Sequence, residues 1–390
     1  MTALTSLTSQ RVLDDTMAIV QAHLPVSASG YRCQTADLWR VLLHAMTHTH
    51  SIEATCTILP NVPHPNTIRR YLACQWTPTT IPQIETSSNA ALRATLPAWV
   101  STTPVEVAID THDCPFYGQI PDGDDHWVCR GQTRAGTNAH YRCASMAVLA
   151  RHTHLTVAIT FVQPGESMGA IVERLLAHGT RAGITIKCLY ADKGFCSVAV
   201  FQAVVAAQIP AIIAVPLRRP GVGTLAHGPI SHWGTHTFTS DTAGAVTVRI
   251  AAVRTYAQRR RGGYELRWCL FACFAIRESL IGVRRRYRRR FGIESIYRQL
   301  EAVRIRTTAT NPGLRLMLIA LGFVVINGWI RCQWTYLRIA GGGPRRVDQT
   351  VLRLPRFLGL LQHAIGQWYG PPPPIALDRY CPASAATAKW

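Results

Sequence analysis

The chain has 390 residues, 48% of them hydrophobic, enough to bury a sizeable core across two or three domains and too many for a disordered or fibrous protein. Lys+Arg of 41 against Asp+Glu of 21 leaves a formal charge of +20, which favours a polyanionic partner. Twelve cysteines without a Cys-x-x-Cys pair, behind no signal-like leader in Met1 to Val12, point to reduced thiols in the cytoplasm.

In chain order, residues 1–100 read as a helical domain, close to neutral with six Arg against five acids. Thr35 to Thr47 has the helical spacing of Leu38, Val41, Leu42 and Ala45, and Ser51 to Leu59 is a second short helix. After a proline-rich turn, Asn66 is placed to cap a third helix that carries Arg69, Arg70 and Tyr71. Helix, turn and capped helix is the pattern of a helix-turn-helix DNA reader, with Arg69 and Arg70 as its DNA contacts. His44, His48 and His50 have spacing that permits a metal, but without cysteine or carboxylate company they read as an ordinary helix face. Pro78 to Ser88, rich in Thr, Pro and Ser, reads as a linker.

From Val105 the pattern changes to strands. Val105 to Asp110 is a buried strand, Tyr141 to Ala150 and Leu155 to Val162 a hairpin turning at 151–154, and Gly165 to His178 an amphipathic helix. Ile184 to Tyr190 is a strand leading into Asp192, Ser197 to Gln208 a helix, and Ala211 to Val215 a fifth strand. This order is that of a ribonuclease-H-like α/β fold. Residues 101–216 are then the first part of the catalytic core, in which the first and fourth strands lie side by side and bring Asp110 next to Asp192.

Residues 217–276, with strand-like runs at 235–239, 245–256 and 264–276 and an Arg-rich Gly262-Gly263 turn, form a β-rich insertion before a third carboxylate. Residues 277–340 complete the core. Tyr287 to Glu294 reads as helix, and the apolar run Leu316 to Ile330 is a buried core helix, short of the about 20 residues a membrane span needs and containing Asn327. Residues 341–390 are a C-terminal helix and flexible tail, marked by Gly341 to Gly343 and Pro371 to Pro374.

Asp110, Asp192 and Glu294 are the candidate catalytic and metal-binding residues. Hard divalent ions take carboxylate oxygens, and two of them about 3.5–4 Å apart serve both the attacking and the leaving oxygen of a phosphodiester. Taken singly, an aspartate at a strand end is as readily a turn former or helix cap, so it is the joint occurrence that points to Mg²⁺ (two ions, with Mn²⁺ able to substitute). Asp113 competes for the first position, and Asp110 is preferred because it directly ends the apolar run. Sixteen Arg and only four Glu fall within 249–306, so most of the positive charge surrounds Glu294. A polybasic membrane-binding stretch has no need of a glutamate and flanking aromatics at its centre.

Tyr287-x2-Arg290-x3-Glu294 resembles the tyrosine-arginine-glutamate signature of bacterial insertion-sequence transposases with a DDE triad, in the large insertion-sequence-four-like group that carries a β insertion before the glutamate. Asp110-Thr111-His112 with Phe116-Tyr117-Gly118 resembles that group's first catalytic segment, and Asp192-Lys193-Gly194-Phe195 its second. The likeness runs from about residue 105 to 335. It implies a metal-dependent enzyme that cuts double-stranded DNA at its element's terminal inverted repeats and joins the ends to target DNA. It also implies a homodimer on DNA, nucleoid-associated and without membrane contact.

On one helix face Tyr287, Arg290, Glu294, Arg298 and Glu301 follow one another. The resemblance makes Tyr287, Arg290, Arg298, Lys193 and Arg304 DNA contacts. The family pattern has a basic residue at the position of Glu301, so Arg298 or Arg304 must take that phosphate. Lys193 replaces an arginine and keeps its charge. Some relatives stack a flipped base on a tryptophan of the insertion, for which Trp233 and Trp268 are candidates, although the alternation around Trp268 suits a core residue. Two other readings stand beside the transposase: a decayed or domesticated copy that binds DNA without cutting, and a nuclease of the same fold without strand transfer.

Overall fold

The computed structural model describes residues 6–371 apart from 32, 121–126, 151–152, 219–220, 259–261 and 340–346. Part of the expected hairpin turn (151–152), the three arginines before Gly262, Gly341 to Gly343 and Pro372 to Pro374 therefore lie outside the described residues.

Helices α1 (Ser9–His23), α2 (Thr35–Thr47), α3 (Ile52–Ile58) and α4 (Pro65–Gln75) open the chain, with a short ladder of β1 (Ser29–Gly30) and β2 (Cys33–Gln34) between the first two. Thr8 and Ser51 cap α1 and α3 by accepting from backbone N–H groups. At α4 the cap is His64, not Asn66. Pro65 occupies the first turn, where its missing N–H costs nothing, and His64 Nδ1 accepts from the Asn66 N–H at 3.2 Å. The expected linker is helical instead: a 3-10 turn (Pro78–Thr80) runs straight into α5 (Ile81–Thr95). Its prolines lie in first turns, where they are tolerated, and Ser88 and Asn89 are buried. A single turn, α6 (Trp99–Thr102), leads into the sheet.

The chain then runs through β3 (Val105–Pro115), β4 (Val128–Arg134), β5 (Thr137–Ala150), β6 (Thr153–Phe161), α7 (Met168–Arg181), β7 (Ile186–Ala191), α8 (Val198–Ala206), β8 (Ala211–Val215), β9 (His232–Ser240), β10 (Gly244–Gln258) and β11 (Tyr264–Phe274). These strands make one nine-stranded mixed sheet in the order β4-β5-β3-β7-β8-β11-β10-β9, with β6 also paired to β5. The fold is mixed α/β. Pairing of β3 with β7 and of β7 with β8 is parallel, and every other pairing in the sheet is antiparallel.

Three features of these strands differ from or add to what the sequence predicts. β3 does not stop at Asp110 but continues to Pro115, because its antiparallel partner β5 pairs with it as far as Pro115 opposite His140. β4 was not expected from sequence. The strands of 217–276 do not stand apart: β11 pairs with β8 from Leu270 opposite Val215 to Phe274 opposite Ala211, so they extend the central sheet.

After the sheet come α9 (Leu280–Tyr287), a 3-10 stretch (Arg288–Phe291), α10 (Gly292–Ala302), α11 (Pro312–Tyr336) and α12 (Leu354–Tyr369). The stretch expected as one helix from Tyr287 to Glu294 is thus broken by a 3-10 segment. At its end, Gly292 lies so close to the β5–β6 hairpin that a Cβ there would stand 2.8 Å from His154 Nε2 and 2.9 Å from Leu149 Cδ2. Helix α11 is long and apolar enough to cross a membrane, with a mean hydropathy of 1.9. However, 89% of its apolar window is buried inside the fold, which makes it the central core helix. At Gly322 it meets Leu300 of α10, which a Cβ would approach to 2.4 Å.

The exposed edge of β6 is closed by side chains. Asn327 of α11 accepts from the Thr156 N–H at 3.1 Å and donates to its carbonyl at 2.7 Å. Asn89 of α5 does the same at Ile159, at 2.9 and 2.8 Å, and Glu85 accepts from the Phe161 N–H at 2.8 Å. Two carboxamides and a carboxylate thus take the place of a neighbouring strand on an edge that would otherwise bury unpaired backbone groups. Replacing Asn327 with Leu leaves one donor and one acceptor unmet, at about 1–3 kcal/mol each. We expect Asn327→Leu to lower unfolding stability by about 2–5 kcal/mol, read as a drop in the urea midpoint, and Asn89→Leu to behave alike. A midpoint within error of the parent would show that the edge needs no such closure.

Candidate active site

Strand register sets the first two carboxylates. Ile109 of β3 is level with Ala191 of β7 in the parallel pair, so Asp110 and Asp192 emerge side by side, with Ser145 of β5 opposite Asp110 on its other flank. Asp192 directly follows β7, and its Oδ1 accepts from the Gly194 N–H at 2.8 Å, capping a 3-10 turn (Lys193–Phe195). Asp113, three residues along, points to the opposite face of the strand and is held by Arg142 at 2.6 and 3.1 Å. It is a structural ion pair, not a rival to Asp110.

The third carboxylate arrives through a buried charge network. Glu106 and Asp110 share a face of β3, being four residues apart. Glu106 is 8% exposed and binds both Arg286, at 3.2 Å, and Arg289; Arg286 also binds Glu278. The Tyr287 ring packs on Phe271 of β11 at 4.8 Å between centroids, and burial pushes its hydroxyl up to about 12. The chain from Arg286 to Phe291 is therefore clamped along β3, and Glu294 in the first turn of α10 is carried to the end of the clamp.

Arg290 joins the acids. Its Nη1 donates to Asp110 Oδ2 at 3.2 Å and its Nη2 to Glu294 Oε1 at 2.8 Å. Asp110 Oδ1 accepts from the Thr111 N–H at 2.8 Å. Burial first, and the neighbouring Asp192 charge second, push the Asp110 carboxyl up to about 6 in spite of Arg290. Because this folded-state value is raised, ionising Asp110 costs the fold stability at neutral pH, and that cost is relieved as pH falls through about 6. Beneath the site, the Tyr297 hydroxyl shares a hydrogen bond with Ser145 at 2.9 Å, and its ring stacks on His112 at 4.9 Å.

Among the described residues, no three His, Cys, Asp or Glu side chains stand together in a position to hold a metal. In the candidate triad the guanidinium of Arg290 lies between two of the members, bonded to both Asp110 and Glu294. The donor set itself suits hard divalent ions, since it offers carboxylate oxygens only.

The remaining expected residues fall into two groups. Lys193, Arg298 and Arg304 are exposed around the acids. Arg298 lies against the Glu294 carbonyl and Ser295 at 3.4 Å, and Arg304 pairs with Glu301 at 3.2 Å. Glu301 also lies 3.7 Å from His112. Arg70 is exposed on α4, whereas Arg69 is paired with Glu53. Trp233 lies under the Arg249 guanidinium at 3.8 Å, and Trp268 packs edge-on against His232. Burial holds His44 down to about 4; the expected helix face is not formed, since α2 ends at Thr47, His48 caps it and His50 lies beyond, although the three rings are neighbours.

Glu106, Arg286, Arg289, Ser145 and Tyr297 were missed from sequence. Glu106 alone carried a signal: a charge inside the apolar run Val105 to Ile109 needs a buried partner.

No family model matches the chain, and no curated protein matches it. Among solved structures, the fold is similar to that of the piggyBac transposase in its synaptic complex with hairpin DNA. That likeness covers 96% of this chain and 81% of that one, with a TM-score of 0.52 and 12% sequence identity, and at that identity it speaks for the fold alone. A Kluyveromyces polysporus Argonaute with a guide RNA overlaps 88% of this chain and 43% of its own at a TM-score of 0.23 and 9% identity, too low to carry an argument.

The clamp can be tested. Glu106→Ala leaves Arg286 with Glu278 as its remaining carboxylate and frees Arg289 to solvent, and we expect a loss of about 1–3 kcal/mol, less than for a fully buried pair that keeps no second partner. Amide exchange across 286–294 should quicken with it. Unchanged exchange there would remove Glu106 from the positioning of Glu294.

Proposed function

We propose that this chain is a metal-dependent DNA transposase of the DDE type, built on a ribonuclease-H-like core. It nicks double-stranded DNA at the terminal inverted repeats of its own insertion sequence and joins the freed ends to target DNA. The observation that carries this reading is that the fold brings Asp110 and Asp192 to the ends of one parallel ladder and ties Glu294 to Asp110 through Arg290. The likeness in fold to a transposase bound to hairpin DNA supports it.

Asp110, Asp192 and Glu294 are the residues that would hold Mg²⁺ or Mn²⁺, which supplies activation of the attacking oxygen and stabilisation of the leaving one. The chain's other residues bind and orient the DNA. Lys193 beside Asp192 and Arg298 beside Glu294 are exposed cations that meet backbone phosphates through charge-assisted bonds. Pairing of Glu301 with Arg304 offsets the negative charge that departs from the family pattern and leaves Arg298 as the nearer phosphate contact. Arg69 and Arg70 on α4 add contacts further along the duplex, and two copies of the chain hold the two ends.

One observation favours a second reading, a decayed copy that binds DNA without cutting: Arg290 fills the position between Asp110 and Glu294. Both readings meet in one assay, cleavage of a labelled duplex carrying the inverted repeats that flank the gene. With Mg²⁺ or Mn²⁺ we expect a nick at the repeat boundary that EDTA prevents. Asp192→Ala and Glu294→Ala should abolish it while DNA binding persists. Binding without a nick by the intact protein would establish the decayed copy, and a nick without joining to target would establish a nuclease.

A further inference from the structure

We propose that Arg290 is a resident counter-ion that holds the candidate acidic site together without metal and must be displaced from Asp110 and Glu294 when a divalent cation binds. The inference rests on the metal-dependent reading above and gives Arg290 a positioning role in it.

The geometry is that of a bridge. One guanidinium spans Asp110 of β3 and Glu294 of α10, residues 184 apart in sequence, through two nitrogens at 3.2 and 2.8 Å. Its side chain is 10% exposed, against 59% for its neighbour Arg289, so it faces inward while the run around it faces solvent. Asp110 and Glu294, drawn to one guanidinium with the Asp192 charge near Asp110, would repel one another in a half-buried site without a counter-charge. The guanidinium supplies that charge and ties the α10 end to the sheet.

The hold is incomplete, which makes it displaceable. Arginine carries five donor hydrogens in a fixed fork, and here Nε is buried with no acceptor. The Tyr287 side chain, buried three residues before Arg290 and interacting with its charge, lies beside the guanidinium and is not one of the acids. Arg290 occupies Asp110 Oδ2 and Glu294 Oε1, carboxylate oxygens of the two residues that would hold a divalent cation. Cation and arginine therefore compete for the same carboxylates, in contrast to Arg298, whose contacts are the Glu294 carbonyl and the Ser295 hydroxyl.

The test is Mn²⁺ binding by calorimetry to the full chain without DNA, together with thermal melting with and without Mn²⁺. Removing a competing positive charge within hydrogen-bond distance of the site should tighten Mn²⁺ about tenfold or more in Arg290→Gln. The same variant should melt below the parent without metal and recover more than the parent when Mn²⁺ is added. Arg290→Lys keeps the charge but cannot fork across both acids, and should fall between parent and Gln in Mn²⁺ affinity. It carries the test if the Gln variant fails to fold. Equal or weaker Mn²⁺ binding in the variants than in the parent would overturn the counter-ion role and leave the metal-dependent reading intact. Absence of Mn²⁺ binding from parent and variants alike would overturn both.

Discussion

The parallel pairing of β3 with β7 is the constraint on which the rest of the site depends. Two strands whose paired residues Ile109 and Ala191 are 82 apart in sequence are locked in register there, and the next residue of each is an aspartate. Like charges placed side by side at the end of a hydrogen-bonded ladder cannot separate without breaking it. The repulsion is instead met by bringing in positive charge and by holding one carboxyl toward its neutral form. Much of what surrounds the site answers this requirement.

The answer comes from the most basic part of the chain. Arg286 and Arg289 are spent on Glu106, and Arg290 on Asp110 and Glu294, so the arginine run does two different jobs. Its inward members fasten the glutamate segment to the sheet, while Arg284, Arg285 and Arg288 stay exposed as a positive surface beside the acids. A run that reads in sequence as a uniform polyanion-binding stripe is thus sorted by tertiary structure into clamp and surface. The run is broken into helix, 3-10 turn and helix, and the residues at 286, 289 and 290, three and four apart, are the ones that meet carboxylates.

The core around α11 makes this arrangement rigid. That helix packs on α5 and α10 and reaches the last open strand of the hairpin with Asn327, and Asn89 of α5 does the same one turn of pleat away. Helices from both ends of the chain therefore close the sheet that carries Asp110. The strands of 217–276 extend its other side, so that Asp110 and Asp192 belong to central strands of a nine-stranded sheet and not to its margin. A site inside a continuous sheet has few ways to open, which suits an arrangement whose charges must be held against their own repulsion.

The sequence by itself determined the elements whose patterns are local. Thr35–Thr47 and Ala211–Val215 match residue for residue, Ser51, Ser167 and Ser197 cap helices near their expected starts, and the apolar run around Asn327 lies in a core helix. It also singled out Asp110, Asp192 and Glu294 by residue type, order and likeness to a family. Only the tertiary structure decided what depends on a partner: that β3 runs on past Asp110 because β5 continues beside it, that the 78–88 stretch is helix because its face is buried, and that the later strands join the main sheet. The direction of Arg290 belongs there too. Charge is legible in a sequence, but whether an arginine meets solvent or a carboxylate 180 residues away is set by which strands pair, and strand pairing is a long-range event that no local spacing records.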